Sequence, residues 1–291
     1  AVRLVFGEAD LLPSIIVDRY GQYLVLQTLS SGADALKPLL VEILIDLVQP
    51  KGIMERNDVK ARRLEGLEET KAIIYGVVPG EVEIVEGGVR FLVDLCGGQK
   101  TGFFLDQRDN RLAARRHAFG RALDCFTNTG AFALHFASCC TSVLAVDVSS
   151  DSLALAGRNA ELNGAANINF REGNVFDLLR DCERAGERFD TICLDPPAFA
   201  KNRNSLASAR GGYKEINLRA MKLLNPGGIL VTSSCSYHLA EPDFFGILCQ
   251  AARDAHRYVQ VVERRGQSSD HPVLASMPET HYLKCFILRV L

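Results

Sequence analysis

Near the end of the chain the stretch "VTSSCSYH", residues 231–238, sets one thiol, Cys235, among small hydroxyl residues just past an apolar run. A cysteine in that setting is a candidate nucleophile, provided a lowered pKa or a local base supplies its thiolate. Such a thiolate can add to carbon 6 of a pyrimidine and make carbon 5, otherwise inert, nucleophilic enough to take a methyl group. Four other places share the setting, a polar residue at or just past the end of a strand-like run. They are Asp124 ahead of "CFTNTG", Asp147 in "LAVDVS", Asn174 in "EGNVFD" and Asp195 in "LDPPAFAKN". Pro196 and Pro197 lack backbone donors and restrict the residue before them, which predicts a rigid lip carrying the Asp195 carboxylate.

The loop after Asp124, with Thr127, Asn128, Thr129 and Gly130, opens directly into a helical pattern and contains a single glycine. A dinucleotide loop would read GxGxxG to bring a helix N-terminus to a pyrophosphate, so this one suits a ligand without phosphate. Asp147, with Val148 beside it, is placed to accept hydrogen bonds from ribose hydroxyls, Asn174 and Val175 to meet an adenine, and Asp124 to balance a cationic tail. Each alone reads equally well as a helix cap. Together, at successive strand ends, they point to a nucleoside with a sulfonium tail, S-adenosyl-L-methionine.

These residues need a scaffold that gathers strand ends. From about residue 100 short apolar runs alternate with helical segments, predicting strands at 121–126, 142–148, 167–173, 189–195, 227–234, 258–264 and 281–290, with a helix at 150–164. That is the pattern of a mostly parallel sheet covered on both faces, with ligands at the carboxyl ends of its strands. The segment between the final two strands has no helical period, which predicts an antiparallel closing hairpin. The first 98 residues form a small mixed α+β domain in this reading. Two strands flank Gly21 within 14–30, a helix over 33–49 presents Leu36, Leu39, Leu40, Ile43, Leu44 and Leu47, and further strands follow, the last pair joined by "EGG". Residues 99–291 form the second domain.

Composition narrows the function class. No apolar run approaches the ~20 residues that span a bilayer, and the N-terminus lacks a basic region followed by an apolar core, so a cytoplasmic protein without membrane contact is expected. The nine cysteines form no CxxC pair, which argues against a disulfide framework and against a zinc site; apart from Cys235 they are expected in the core, Cys193 included. No metal is expected. A net charge of −2 gives no global basic field, although a local patch can serve nucleic acid.

Over nearly its whole length the sequence resembles the cytosine-5 methyltransferases of large-subunit ribosomal RNA. The resemblance rests on "RLVFGEADLLPSIIVDRYG", "GGQKTGFFLDQRDNR", "DCFTNTGAFAL", "DVS", "LDPPAFAKN", "SSCSYH" and "ETHYLK". It implies a class I, Rossmann-like methyltransferase with a seven-stranded sheet, S-adenosyl-L-methionine as cofactor and ribosomal RNA as partner. It further implies that Gln99, Thr101, Phe103, Asp106 and Arg108 border the cofactor pocket and that Cys235 is the nucleophile. Asp195 would then hold the amino group or ring nitrogen of the flipped cytosine. Family members carry a small RNA-binding PUA domain ahead of this region, and the chain is expected to begin just past it. The sequence departs from the family at Asn128, where an aromatic residue is common, and at Asn174, where Asp is common.

Substrate contacts are expected from Pro196 and Phe199 at the lip and from Lys201, Arg203, Arg210 and Lys214 in "KNRNSLASARGGYK", taken as a long loop beside it. Arg111, Arg115 and Arg116 lie on one helical side, as a phosphate contact or a solvated face, and His238 either tunes the thiolate or caps a helix. A homodimer is left open. Two rivals stand beside the main reading. One is a methyltransferase of the same fold acting on guanine or an amino nitrogen without Cys235, the other a non-enzymatic RNA-binding protein.

Overall fold

The computed structural model describes residues 1–98, 101–199 and 206–291. The chain divides into two compact units, residues 1–108 with 268–281, and residues 109–267 with 282–291. The boundary expected at 98 therefore falls before the observed division, and a late segment returns to the first unit. The reason is burial. Thr101 Oγ1 donates to Asp18 Oδ2 at 2.5 Å and Phe103 packs on Phe91, while Ser268 donates through its backbone and hydroxyl to the Asp106 carbonyl.

In the first unit, β1 (Val2–Phe6), β2 (Ile15–Tyr20), β3 (Tyr23–Thr28), β4 (Gly52–Asn57) and β5 (Thr70–Gly76) form a mixed sheet in chain order. The β2–β3 turn uses Gly21 at φ +60°, as the sequence predicts. The one parallel pair, β3 with β4, is joined through α1 (Ser31–Ala35) and α2 (Lys37–Val48). The expected helical face is displaced. Leu40, Val41, Leu44, Ile45 and Val48 pack on the sheet, whereas Leu36, Leu39, Ile43 and Leu47 are exposed. The helix is apolar on two sides, and periodicity alone does not choose between them. β6 (Glu81–Glu86) and β7 (Val89–Asp94) form a separate hairpin, with strict alternation of burial along "EVEIVE".

Among the described residues the second unit is a seven-stranded sheet with helices on both faces. Its elements are α3 (Arg108–His117), in which the division falls, β8 (Arg121–Cys125), α4 (Ala131–Ala137), β9 (Ser142–Asp147), α5 (Ser150–Leu162), β10 (Ile168–Glu172), α6 (Val175–Arg184) and β11 (Phe189–Leu194). They continue with α7 (Leu206–Leu223), β12 (Leu224–Ser234), α8 (Glu241–Asp254), β13 (Val259–Arg265) and β14 (Lys284–Val290). Strand order is β10-β9-β8-β11-β12-β14-β13, parallel from β10 to β12, with β14 antiparallel to both neighbours. All seven expected strands and the closing hairpin are present. Burial on both faces explains why they read as continuous apolar runs. One face packs against α6, α7 and α8, and the other against α3 and α4. The strand order reverses between β8 and β11, where an open α/β sheet leaves a crevice for ligand. No helix among the described residues is long and apolar enough to cross a membrane.

One expectation is corrected. The stretch 206–214, taken as loop, is the start of α7. Its Gly and Ser content misleads because Ala209, Tyr213, Ile216 and Ala220 bury one face and stabilise the helix, and Gly212 permits close packing. A Cβ there would stand 3.3 Å from a ring carbon of Phe199.

Candidate active site

Every strand-end residue singled out in the second unit lies at the carboxyl edge of the parallel strands. Asp124 ends β8 and is buried. Its Oδ2 accepts from Thr127 Oγ1 at 2.6 Å and from the Ala133 amide at 2.9 Å, so the acid ties down both the loop and the first turn of α4. Its Oδ1 is buried with no nitrogen or oxygen partner among the described residues, and the Cys193 thiol, the register partner of Asp124 on β11, favours the charged form. Burial is the main cause that pushes this carboxyl up to about 7, and the Asp195 charge adds to it. An orphaned, buried acceptor is costly unless a ligand supplies the donor or the positive charge.

The loop between β8 and α4 is held in a shape with three left-handed residues, Phe126 at φ 63°, Asn128 at 50° and Gly130 at 82°. Two of these are not glycine, a strain that loops keep where close backbone approach matters. Asp147 at the end of β9 fixes them. Its Oδ2 accepts from the Asn128 amide at 2.8 Å and its Oδ1 from the Ser149 amide at 3.0 Å. A carboxylate has about four acceptor sites, so capacity remains for ribose hydroxyls. At Gly130 a Cβ would come within 3.2 Å of Ala156 Cβ. Val148 is 67% exposed beside Asp147, whereas Val175, expected to meet the adenine, is buried in the core at the first turn of α6. Asn174 is the N-cap of α6, with its side-chain oxygen accepting from the Phe176 amide at 2.9 Å. An unpartnered buried acid, a glycine cradle and a second acid with spare acceptors fit a cationic nucleoside.

The fourth and fifth strand ends meet, because β11 and β12 are adjacent and parallel. Cys235 is half-buried just past β12, and its thiol lies 4.0 Å from the Pro196 carbonyl oxygen on the Asp-Pro-Pro lip. Asp195 is half-buried. Phe199 packs into an aromatic cluster, with ring centroids 4.7 Å from Tyr213, 5.9 Å from Phe176 and 6.4 Å from Phe126. Cys193 is fully buried and its thiol is pushed well up by burial, in keeping with a core role.

Two residues that the sequence reading passed over complete this corner. Tyr213 of α7 is buried, with its hydroxyl 3.0 Å from both Ser234 Oγ and Ser236 Oγ, so one phenol braces the backbone on either side of Cys235. Lys284, the first residue of β14, is 2% exposed and donates from Nζ to the carbonyls of Ser236 and Tyr282. Its signal was present in the sequence as a charge inside the apolar run "YLKCFIL". His238 is exposed on the turn, and the N-cap of α8 is Ala240, without a side-chain cap.

The remaining expected site residues are placed as follows. Gln99, Lys201 and Arg203 lie outside the described residues. Thr101, Phe103, Asp106 and Arg108 belong to the first unit, where the first three are buried and Arg108 pairs with Asp270 at 2.9 Å. Arg210 and Lys214, on α7, form ion pairs with Asp243 at 2.9 Å and Asp254 at 2.6 Å on α8. Arg111 is 1% exposed, which removes it from a solvated face. Cys139 and Cys249 are exposed, contrary to their expected burial, and Cys96 is half-buried.

Comparison with known proteins agrees with this geometry. Residues 72–289 match the family described as S-adenosylmethionine-dependent methyltransferase. The protein named ribosomal RNA large subunit methyltransferase I of Erwinia tasmaniensis is 47% identical over 99% of this chain and 74% of its own length. The protein of the same name from Tolumonas auensis is 46% identical over 100% of this chain and 75% of its own. In fold, the chain is similar to the crystal structure of SMU.776, a methyltransferase complexed with SAH. The TM-score is 0.86 at 23% identity, over 99% of this chain and 74% of that one. A SAM-dependent methyltransferase from Streptococcus mutans gives a TM-score of 0.84 at 22% identity, with the same coverage. The chain thus belongs to the family of S-adenosylmethionine-dependent methyltransferases, alongside the proteins named ribosomal RNA large subunit methyltransferase I.

Proposed function

We propose that the protein methylates carbon 5 of a cytosine in large-subunit ribosomal RNA, with Cys235 as a covalent nucleophile. The observation that carries this reading is the Cys235 thiol, half-buried at the end of β12 and 4.0 Å from the Pro196 carbonyl of the lip. The substrate class is taken from the names of the relatives at 46–47% identity.

Asp124, the Gly130 loop and Asp147 would hold the cofactor, and Val148 and Asn174 would meet its base. S-adenosylmethionine, when bound, supplies the methyl group from a sulfonium. The chain's own residues then prepare the acceptor. The Cys235 thiolate forms a bond to carbon 6 of a cytosine drawn out of its stack, and the displaced π electrons make carbon 5 electron-rich. Asp195 accepts a hydrogen bond from the cytosine amino group at the lip, with Pro196 and Phe199 bounding the base. After transfer, the carbon-5 proton leaves to a base and the carbon 6–sulfur bond breaks, which restores the ring and the thiolate. Arg210 and Lys214 reach RNA phosphate by exchanging their α8 carboxylates for it.

Methyl transfer from labelled S-adenosylmethionine to ribosomal RNA lacking its own modifications tests the proposal, with Cys235→Ala alongside and the product base mapped. Label in 5-methylcytosine that vanishes in the variant is expected. Label on guanine or an amino nitrogen, or an unimpaired variant, refutes the covalent mechanism. Sedimentation of the same sample tests the homodimer.

A further inference from the structure

A buried cation that the covalent scheme has not used bonds to the backbone next to the thiol. Lys284 pairs in register with Ser234, the residue before Cys235, and its Nζ donates to the carbonyl of Ser236, the residue after it, at 2.7 Å. A second bond, 2.8 Å to the Tyr282 carbonyl, fixes the amine from below. Among the described residues Lys284 makes no ion pair, although it is 2% exposed. Burying an ammonium on carbonyls alone is costly, and a methionine of similar shape would fill the same space without that cost. The groups acting electrostatically on it are Cys235 and, from the first turn of α8, Glu241. From α7 the Tyr213 hydroxyl braces the same loop, and Asp195 stands on the lip that Cys235 faces.

On the reading that Cys235 is the nucleophile, we propose that Lys284 is the positioning residue that generates and holds its thiolate. A neutral amine keeps two N–H groups, enough for both carbonyls, and offers its lone pair to a proton. The Cys235 S–H bond can therefore break while an N–H bond forms at Nζ, with neither carbonyl hydrogen bond lost and charge conserved as thiolate plus ammonium. Burial brings Lys284 down to about 8, close to an ordinary thiol, so the proton is shared between groups of matched strength.

The test is the pH dependence of Cys235 alkylation by iodoacetamide in the full chain without RNA or cofactor, quantified on the peptide containing Cys235. The exposed Cys139 and Cys249 serve as internal references. Lys284→Met should raise the Cys235 midpoint by about one unit and slow its alkylation at pH 7 about ten-fold. Lys284→Arg should restore most of the rate. Glu241→Gln removes a negative charge from the pair and should move the midpoint the other way, speeding alkylation about two-fold or more. A purely structural lysine would not give opposite shifts. Unchanged midpoints in both Lys284→Met and Glu241→Gln overturn the inference. If Lys284→Met does not fold, the half-buried, helix-terminal Glu241→Gln decides alone. Should Cys235→Ala transfer methyl undiminished, the nucleophile reading fails, whereas a Lys284 failure leaves Cys235→Ala inactive and the midpoints unmoved.

Discussion

The orphaned carboxyl of Asp124 makes cofactor binding depend on pH in a calculable way. With burial holding the group up to about 7, only about 3% of the ligand-free protein carries the carboxylate at pH 5.5, against about three-quarters at pH 7.5. A cation that needs the carboxylate should bind about 25-fold more tightly at the higher pH, or about 1.9 kcal/mol. Titration calorimetry with S-adenosylmethionine checks this, and near pH 6.5 binding should release about three-quarters of a proton, visible as a dependence on buffer ionisation enthalpy. Adenosine, which lacks the charged tail, should bind without that slope. Stability moves oppositely. A folded-state carboxyl raised above its ordinary 3.8 contributes stability that is fully present below about pH 4 and is lost as pH rises through 7. Asp124→Asn, neutral throughout, should therefore raise the melting temperature of the ligand-free protein at pH 8 while weakening the cofactor and flattening its pH profile. A variant that binds S-adenosylmethionine with the wild-type pH slope would refute the reasoning.

Three further outcomes follow from the geometry. Gly130→Ala imposes a side chain at φ 82° and 3.2 Å from Ala156 Cβ; a loss of about 1–2 kcal/mol is expected, lowering the melting temperature by a few degrees and weakening S-adenosylmethionine binding. Tyr213→Phe removes the hydroxyl between Ser234 and Ser236 and should cost about 1–3 kcal/mol in urea unfolding, since both serine hydroxyls are buried. The double change Asp243→Asn with Asp254→Asn frees Arg210 and Lys214; RNA binding should tighten at low salt and its dependence on log salt should steepen by up to about 2, and an unchanged slope would remove these cations from the RNA interface.

Much of the second unit was legible because its strands are buried on both faces and so stand out as apolar runs. Cys235 and Asp195 each stood out as polar residues at the ends of such runs, and the order of β11 and β12 brings those ends together. What escaped reading depended on which neighbour a side chain finds. "SLASARGGYK" has loop composition, yet its small residues are what let Phe199 approach the helix. Arg210 and Lys214 look like free cations until α8 supplies their carboxylates. Lys284 was visible as a charge out of place, but its meaning came only from the register that sets it opposite Ser234.

That register also fixes when the corner can exist. β14 follows β12 and β13 in sequence, yet it is not the edge of the sheet but lies between them, with both pairings antiparallel. During synthesis, at ~5–20 residues per second, β12 and β13 wait with open ladders until residues 284–290 emerge. Until then, the backbone next to the thiol has no ammonium bonded to it and β13 has no partner among the described strands. Loss of residues 284–290 would thus strip two ladders at once, so a stop codon ahead of them or proteolysis before them should silence the protein as completely as a lesion in its interior, and leave exposed strand edges prone to pairing between chains.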